Sequence, residues 1–192
     1  MRLLVTTNKP INANYRDAES GVTQYKARTP IKVPELKTTI SRLLDSDIPR
    51  REQADPDDDI HNDRFGMLAQ VSWRMGGPSV IQFGGQEIDP ATFFRRENQG
   101  WHGKPREYIF TAQDGKEYRW ILRPYTTRLK TNDESATLVA EYRANSLGIL
   151  SRARPASLTI FPPFEDMADE IMVTFIYIEK QRRSHIDGNT QL

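Results

Sequence analysis

Between Arg2 and Phe161 the apolar positions come in short runs that alternate with polar ones, and Gly, Pro, Asn and Asp separate the runs. From Phe65 to Trp73 the period is plain: Met67, Ala69, Val71 and Trp73 share one face, and Gln70 and Ser72 share the other. Period two is the pattern of a half-buried strand. The strongest local signal runs from Glu107 to Arg123. Tyr108 and Phe110 alternate with Ile109 and Thr111, Asp114-Gly115 follows, and Tyr118, Trp120 and Leu122 then alternate with Arg119, Ile121 and Arg123. Glycine readily takes the positive φ of a tight turn, so this stretch predicts a β-hairpin. Weaker runs predict strands at Arg2 to Thr6, Gly21 to Thr29, Thr38 to Leu43, Ser79 to Phe83, Gln86 to Ile88, Arg128 to Thr131, Thr137 to Arg143, Gly148 to Arg152 and Ala156 to Phe161. The total is roughly ten to twelve short strands. Asn8 to Asn14 reads as a turn-rich connection. Asp89 to Arg96 reads as one helical turn with Asp89 as cap and Pro90 at its first position. Glu97 to Arg106 is a polar link carrying Trp101.

The rule changes after Pro162 and Pro163. At about 100° per residue, Met167, Ala168, Ile171, Met172, Val173, Phe175, Ile176, Tyr177 and Ile178 fall on every side of a helix, and a helix that is apolar all round must be surrounded. Val173 to Ile178 also has the β-branched and aromatic character of a buried strand. The ends favour the helix: Glu165, Asp166, Asp169 and Glu170 crowd its start and Lys180, Arg182 and Arg183 its finish. Acid first and base last suits a helix dipole, and a strand has no comparable field. Ile171, Met172, Phe175, Ile176 and Ile178 are therefore expected core residues.

The 192-residue chain fits one domain over 1–192, long enough to bury about 70% of its unfolded surface. Hydrophobic residues make up 37% and charged residues 28%, which predicts a soluble globular protein. Asp45 to Arg64 departs from that average, with two prolines and almost nothing apolar, and reads as an exposed acidic loop; residues 184–192 read as a short polar tail. The net charge of +1 argues against a dedicated nucleic-acid binder. Cysteine is absent, so disulfides and thiolate zinc sites are excluded. The opening MRLLVTTNKP lacks the long apolar region of a secretory signal, and the run from Ile171 to Ile178 is far short of the roughly 20 residues that span a bilayer. An intracellular, cytoplasmic protein without a transmembrane segment is the expectation.

Many antiparallel strands have edges to hide, and closing the sheet removes them. A mainly β fold is predicted, a closed antiparallel barrel plugged by the hydrophobic C-terminal helix. FTAQDGKEYRWIL (Phe110 to Leu122), TLVAEYRANSLGIL (Thr137 to Leu150), RPASLTIF (Arg154 to Phe161) and DEIMVTFIYIEKQRR (Asp169 to Arg183) resemble a fungal family of unknown function, as do FGGQEI (Phe83 to Ile88) and the opening LLVTTNKPINANYRDA. That family is similar in pattern to the tubby-like superfamily, with the plant LURP-one-related proteins and the phospholipid scramblases. The resemblance implies a closed barrel of about twelve strands around a central helix, and no activity.

Little in the sequence carries recognisable chemistry. On an EF-hand alignment starting at Asp57, Asn62 stands where Gly is needed and Leu68 where Glu is needed, so the acidic run makes no calcium loop. His61, His102 and His185 have no metal-ligand spacing, and neither a nucleophile-elbow serine nor a phosphate-binding glycine loop is present. No cofactor, metal or catalytic residue is predicted. Basic residues are the enriched chemistry: Arg95 to Arg154 holds twelve against seven acids. Arg119 and Arg123 share the strand face opposite the aromatic one, and neighbouring strands would bring Arg128, Lys130 and Arg143 beside them. The readings that follow are a non-enzymatic binding module for anionic lipid, of phosphoinositide type, at a membrane surface. A protein-interaction domain using the 45–64 loop and Trp101 is the alternative, and an enzyme with an unrecognised site the remotest.

Overall fold

The computed structural model describes residues 1–30, 36–44, 65–74, 78–99, 105–146 and 153–187. Thirteen strands come in chain order: β1 (Arg2–Val5), β2 (Ala13–Asp17), β3 (Thr23–Arg28), β4 (Leu36–Leu43), β5 (Phe65–Trp73), β6 (Val80–Phe83), β7 (Gln86–Ile88), β8 (Arg95–Gln99), β9 (Pro105–Thr111), β10 (Glu117–Leu122), β11 (Thr126–Thr131), β12 (Leu138–Arg143) and β13 (Ser157–Ile160). A one-turn helix α1 (Pro90–Phe93) separates β7 from β8, and α2 (Ala168–Asp187) ends the described chain.

All strands belong to one antiparallel sheet, in the order β7-β6-β5-β4-β3-β2-β1-β13-β12-β11-β10-β9-β8. Its middle is made by the two ends of the β region: β1 pairs with β13, Leu3 opposite Leu158. From there two meanders spread outward and finish on β7 and β8, which are consecutive in the chain. An odd number of antiparallel strands leaves both edge strands running the same way, so a hairpin cannot join them. The chain crosses between them through α1. Asp89 caps that turn by accepting from Ala91 N at 2.8 Å, and Pro90 stands at its first position, as the residues predicted. Among the described residues no ladder joins β7 to β8.

The sheet wraps α2. Ile171, Met172, Phe175, Ile176 and Ile178 are fully buried, so the helical reading of this stretch holds. Aromatic side chains reach the helix from distant strands: Tyr15 of β2, Trp120 of β10 and Tyr142 of β12 surround the Phe175 ring at 6.3, 6.0 and 5.1 Å between centroids. Tyr177 is stacked between Trp73 of β5 at 5.7 Å and Phe94, just after α1, at 5.1 Å. The single polar interruption, Thr174, donates to Glu170 O at 2.8 Å within the helix and accepts from Trp120 Nε1 at 3.2 Å. Its hydroxyl is therefore satisfied inside an apolar layer.

Several expectations change. Strands β2 and β8 occupy stretches read as a connection, a helical turn and a polar link; both are short and polar, and ladder bonds to neighbours hold them where side-chain pattern gives no signal. Met67 does not share the face of Ala69, Val71 and Trp73. The β4–β5 register slips between Ile40 and Ser41, a bulge that turns the alternation over, and Met67 is left 71% exposed. Residues 184–187 of the expected tail are helical, since α2 runs to Asp187. The 45–64 loop, Trp101, the strand expected at 148–152 and residues 188–192 lie outside the described residues.

Candidate anion-binding end and an opposed acidic cavity

The outer face of β8 to β12 carries the basic residues singled out from the sequence, with carboxylates woven among them. Arg119 stands opposite Lys130 on β11, and Arg128 stands opposite Glu141 on β12. Arg119 donates to Glu107 Oε2 at 2.9 Å and to Asn132 Oδ1 at 2.9 and 2.7 Å. Arg128 Nε donates to Glu141 Oε1 at 2.7 Å, and Arg143 Nε donates to the other oxygen of the same carboxylate. Burial would raise the Glu141 carboxyl, yet its bonds to Arg128 and Arg143 hold it below the ordinary glutamate value. Arg95, on the edge strand β8, is tied to Glu117 at 2.8 Å and to Glu97 at 3.1 Å. Lys130 and Arg123 have no side-chain hydrogen bond or ion pair among the described residues. Alternating charge is what a strand face in water supports, because each guanidinium lies within reach of a cross-strand acid.

Charge separates along the helix axis instead. Asp169 accepts from Tyr25 and Arg42 near one end of the sheet, at 2.8 and 2.7 Å. Glu179 accepts from Thr127 at 2.6 Å near the other. At that second end three adjoining turns contain Lys9, Arg123 and Arg154, and among their described residues, 6–12, 123–125, 144–146 and 153–156, there is no Asp or Glu. They are stitched together by Ala144 N to Tyr125 O at 3.0 Å and Val5 N to Ala156 O at 2.9 Å. Helix α2 is fastened to them: Arg182 donates to Pro124 O and to both oxygens of Glu179, and Arg183 donates to Asn8 O. The last turns of a helix carry partial negative charge, which Lys180, Arg182 and Arg183 offset. Tyr125 projects from the same end and is 75% exposed. Sequence reasoning found Arg123, Arg128 and Arg143 but missed Tyr125, whose signal was an aromatic in a two-strand turn directly after Arg123-Pro124.

The opposite end is acidic. Turns 18–22, 112–116, 132–137 and 161–167 hold Glu19, Asp114, Asp133, Glu134, Glu165 and Asp166 against Lys116 alone. Here a cavity of about 250 Å³ opens between the β6–β7 hairpin, α1 and the first turns of α2. Phe83, Ile88, Phe93 and Val173 give it apolar walls, and Glu170 supplies a carboxylate. Gly84 and Gly85 carry the hairpin at its rim with φ of 58° and 76°. Among the described residues no three His, Cys, Asp or Glu side chains are grouped to hold a metal, and no helix is long and apolar enough to cross a membrane. His61 and His102 lie outside the described residues.

Fold and site together define a β-rich domain wrapped on an internal helix, with charge segregated between the described turns of its two ends. A family model described as "Family of unknown function (DUF6593)" matches residues 8–184, and the chain belongs to that family. Neither a curated protein nor a solved structure is significantly similar to the chain.

Proposed function

We propose that this protein is a non-enzymatic binding module that docks on anionic lipid through its basic end. The observation that carries the reading is the exposure of Tyr125 beside Arg123, in a row of three turns whose described residues include no acid. An amphipathic aromatic ring suits the headgroup layer, and basic side chains around it are drawn to acidic lipid. Each such charge contributes about 1 kcal/mol near an acidic surface, so Lys9, Arg123 and Arg154 together supply about 3 kcal/mol, on the order of a hundredfold in binding. Arg128 and Arg143 exceed the charge of Glu141 by one and widen the positive field, with Lys130 behind them. Arg119 is taken up by Glu107 and serves the sheet.

In this reading the sheet is a closed barrel, sealed along the β7–β8 seam by the side chains of Phe93 and Phe94 in place of a ladder, and α2 is its plug. The similarity in pattern to the tubby-like, LURP-one-related and scramblase superfamily supports the same picture. The test is flotation with vesicles of phosphatidylcholine alone against phosphatidylcholine mixed with phosphatidylserine or a phosphoinositide. Binding to the anionic vesicles alone is expected, falling with salt, and lost in the double variant Arg123→Glu, Tyr125→Ala. Equal recovery on neutral and anionic vesicles at low salt overturns the reading.

A further inference from the structure

The cavity at the acidic end has walls that are mostly hydrocarbon and one ionisable group. Glu170 is 9% exposed, and among the described residues both its oxygens share a single donor, the Gln113 backbone N–H, at 3.2 Å each. A carboxylate offers about four acceptor positions, so most of this one's capacity is unused. Among the described residues, nearby charges do not compensate it. Arg42 is engaged by Asp169, and Asp114 adds a second negative charge that disfavours ionisation. A buried carboxylate in an apolar wall is stable only when something supplies opposite charge or a proton. At the other end of the same helix Glu179 is also buried, and there Arg182 holds both its oxygens. The contrast between the two glutamates of one helix marks Glu170 as the one whose counter-charge the described residues do not provide.

We infer that this cavity binds a small organic ammonium ligand, its positive head on Glu170 and its apolar arm against Phe83, Phe93 and Val173. A volume of about 250 Å³ corresponds to about eight water molecules and falls below the roughly 300–1,000 Å³ of drug-sized ligand sites. The ligand is therefore fragment-sized, an amine with one short alkyl or aryl arm. Gln86 and Gln113 stand at the cavity's edge with amide groups for a second polar point on the ligand. The site lies at the end opposite Arg123 and Tyr125, so its occupancy does not depend on lipid docking.

The experiment compares n-hexylammonium with 1-hexanol, equal in length and lacking only the charge, by titration calorimetry on the full chain. A charge-assisted hydrogen bond is roughly twice as strong as a neutral one, so the ammonium is expected to bind at least about tenfold more tightly. Glu170→Gln keeps an acceptor for Gln113 and should bring the two probes level. Nuclear Overhauser contacts from the hexyl methyl to Phe93 and Val173 of the native protein supply a readout that needs no variant. Equal affinity of the two probes for the native protein, full ammonium preference in Glu170→Gln, or contacts elsewhere on the surface would each overturn the assignment.

Discussion

Thr127 of β11 donates a 2.6 Å hydrogen bond to Oε1 of Glu179, and Arg182 donates to the same oxygen at 2.8 Å. Glu179 is fully buried and Arg182 is 5% exposed, so the pair fastens the end of α2 to the sheet without water. Removing one partner of a buried pair leaves the other charge uncompensated. Glu179→Ala should therefore cost about 3–5 kcal/mol in denaturant unfolding. The double replacement by Met and Leu should cost less than the single one, because no lone charge remains. Additive losses in a double-mutant cycle would show that the two side chains are not coupled.

Phe175 is enclosed by Tyr15, Trp120 and Tyr142, three rings from strands that stand apart in the sheet order. Phe175→Asp places an unpaired charge among them and should cost more than about 4 kcal/mol. A soluble variant with an unchanged melting temperature would mean that α2 is not the centre of the core.

The elements legible in the sequence were those whose signal is local. The β9–β10 hairpin shows alternation and an Asp-Gly turn, and Gly115 takes φ of 79° there as expected. Helix α2 shows apolar residues all round with charges sorted by end. Strand β2 was invisible because only Ala13 and Tyr15 face inward, and its pairing with Leu3 to Val5 is settled across a connection and not within a pattern. The outward position of Met67 depends on a bulge opposite another strand. The basic residues could be counted from the sequence, whereas their neutralisation by Glu107, Glu117 and Glu141 depends on cross-strand register. Segregation of charge between the two ends needed the order of all the turns, which no single segment reveals.

Phe94 lies in the chain between the two edge strands, directly before β8. It stacks on Tyr177 with 4° between the ring planes and meets Tyr108 and Phe110 of β9 edge-on. Truncation to Ala should cost about 3–5 kcal/mol, as for other large buried rings. Because β7 and β8 each have a ladder on one side only, amide hydrogen exchange should accelerate most in those strands and least in β12 and β13. Uniform acceleration across the sheet would indicate that the seam is not its weak point.

The carboxylates of Glu141 and Glu170 should bend stability against pH in opposite directions. Glu141 has its pKa lowered from 4.5, against its own burial, by Arg128 and Arg143. Its stabilising contribution is present above pH 4.5 and is lost as pH falls through the folded value below it, so the advantage of the native protein over Glu141→Gln should shrink in acid. Glu170 is shifted upward from 4.5, first by burial and then by Asp114, with the Gln113 N–H opposing. Between 4.5 and that raised value the folded state holds more protons than the unfolded one, so stability falls as pH rises. Glu170→Gln, which cannot ionise, should therefore gain on the native protein as pH rises from 4.5 to that raised value, a window just above the one in which Glu141→Gln loses ground. Thermal unfolding of the two variants and the native protein, followed from acid to neutral pH, reads both slopes. If Glu170→Gln tracks the native curve throughout, the cavity carboxylate is already compensated and the case for an ammonium ligand there falls with it.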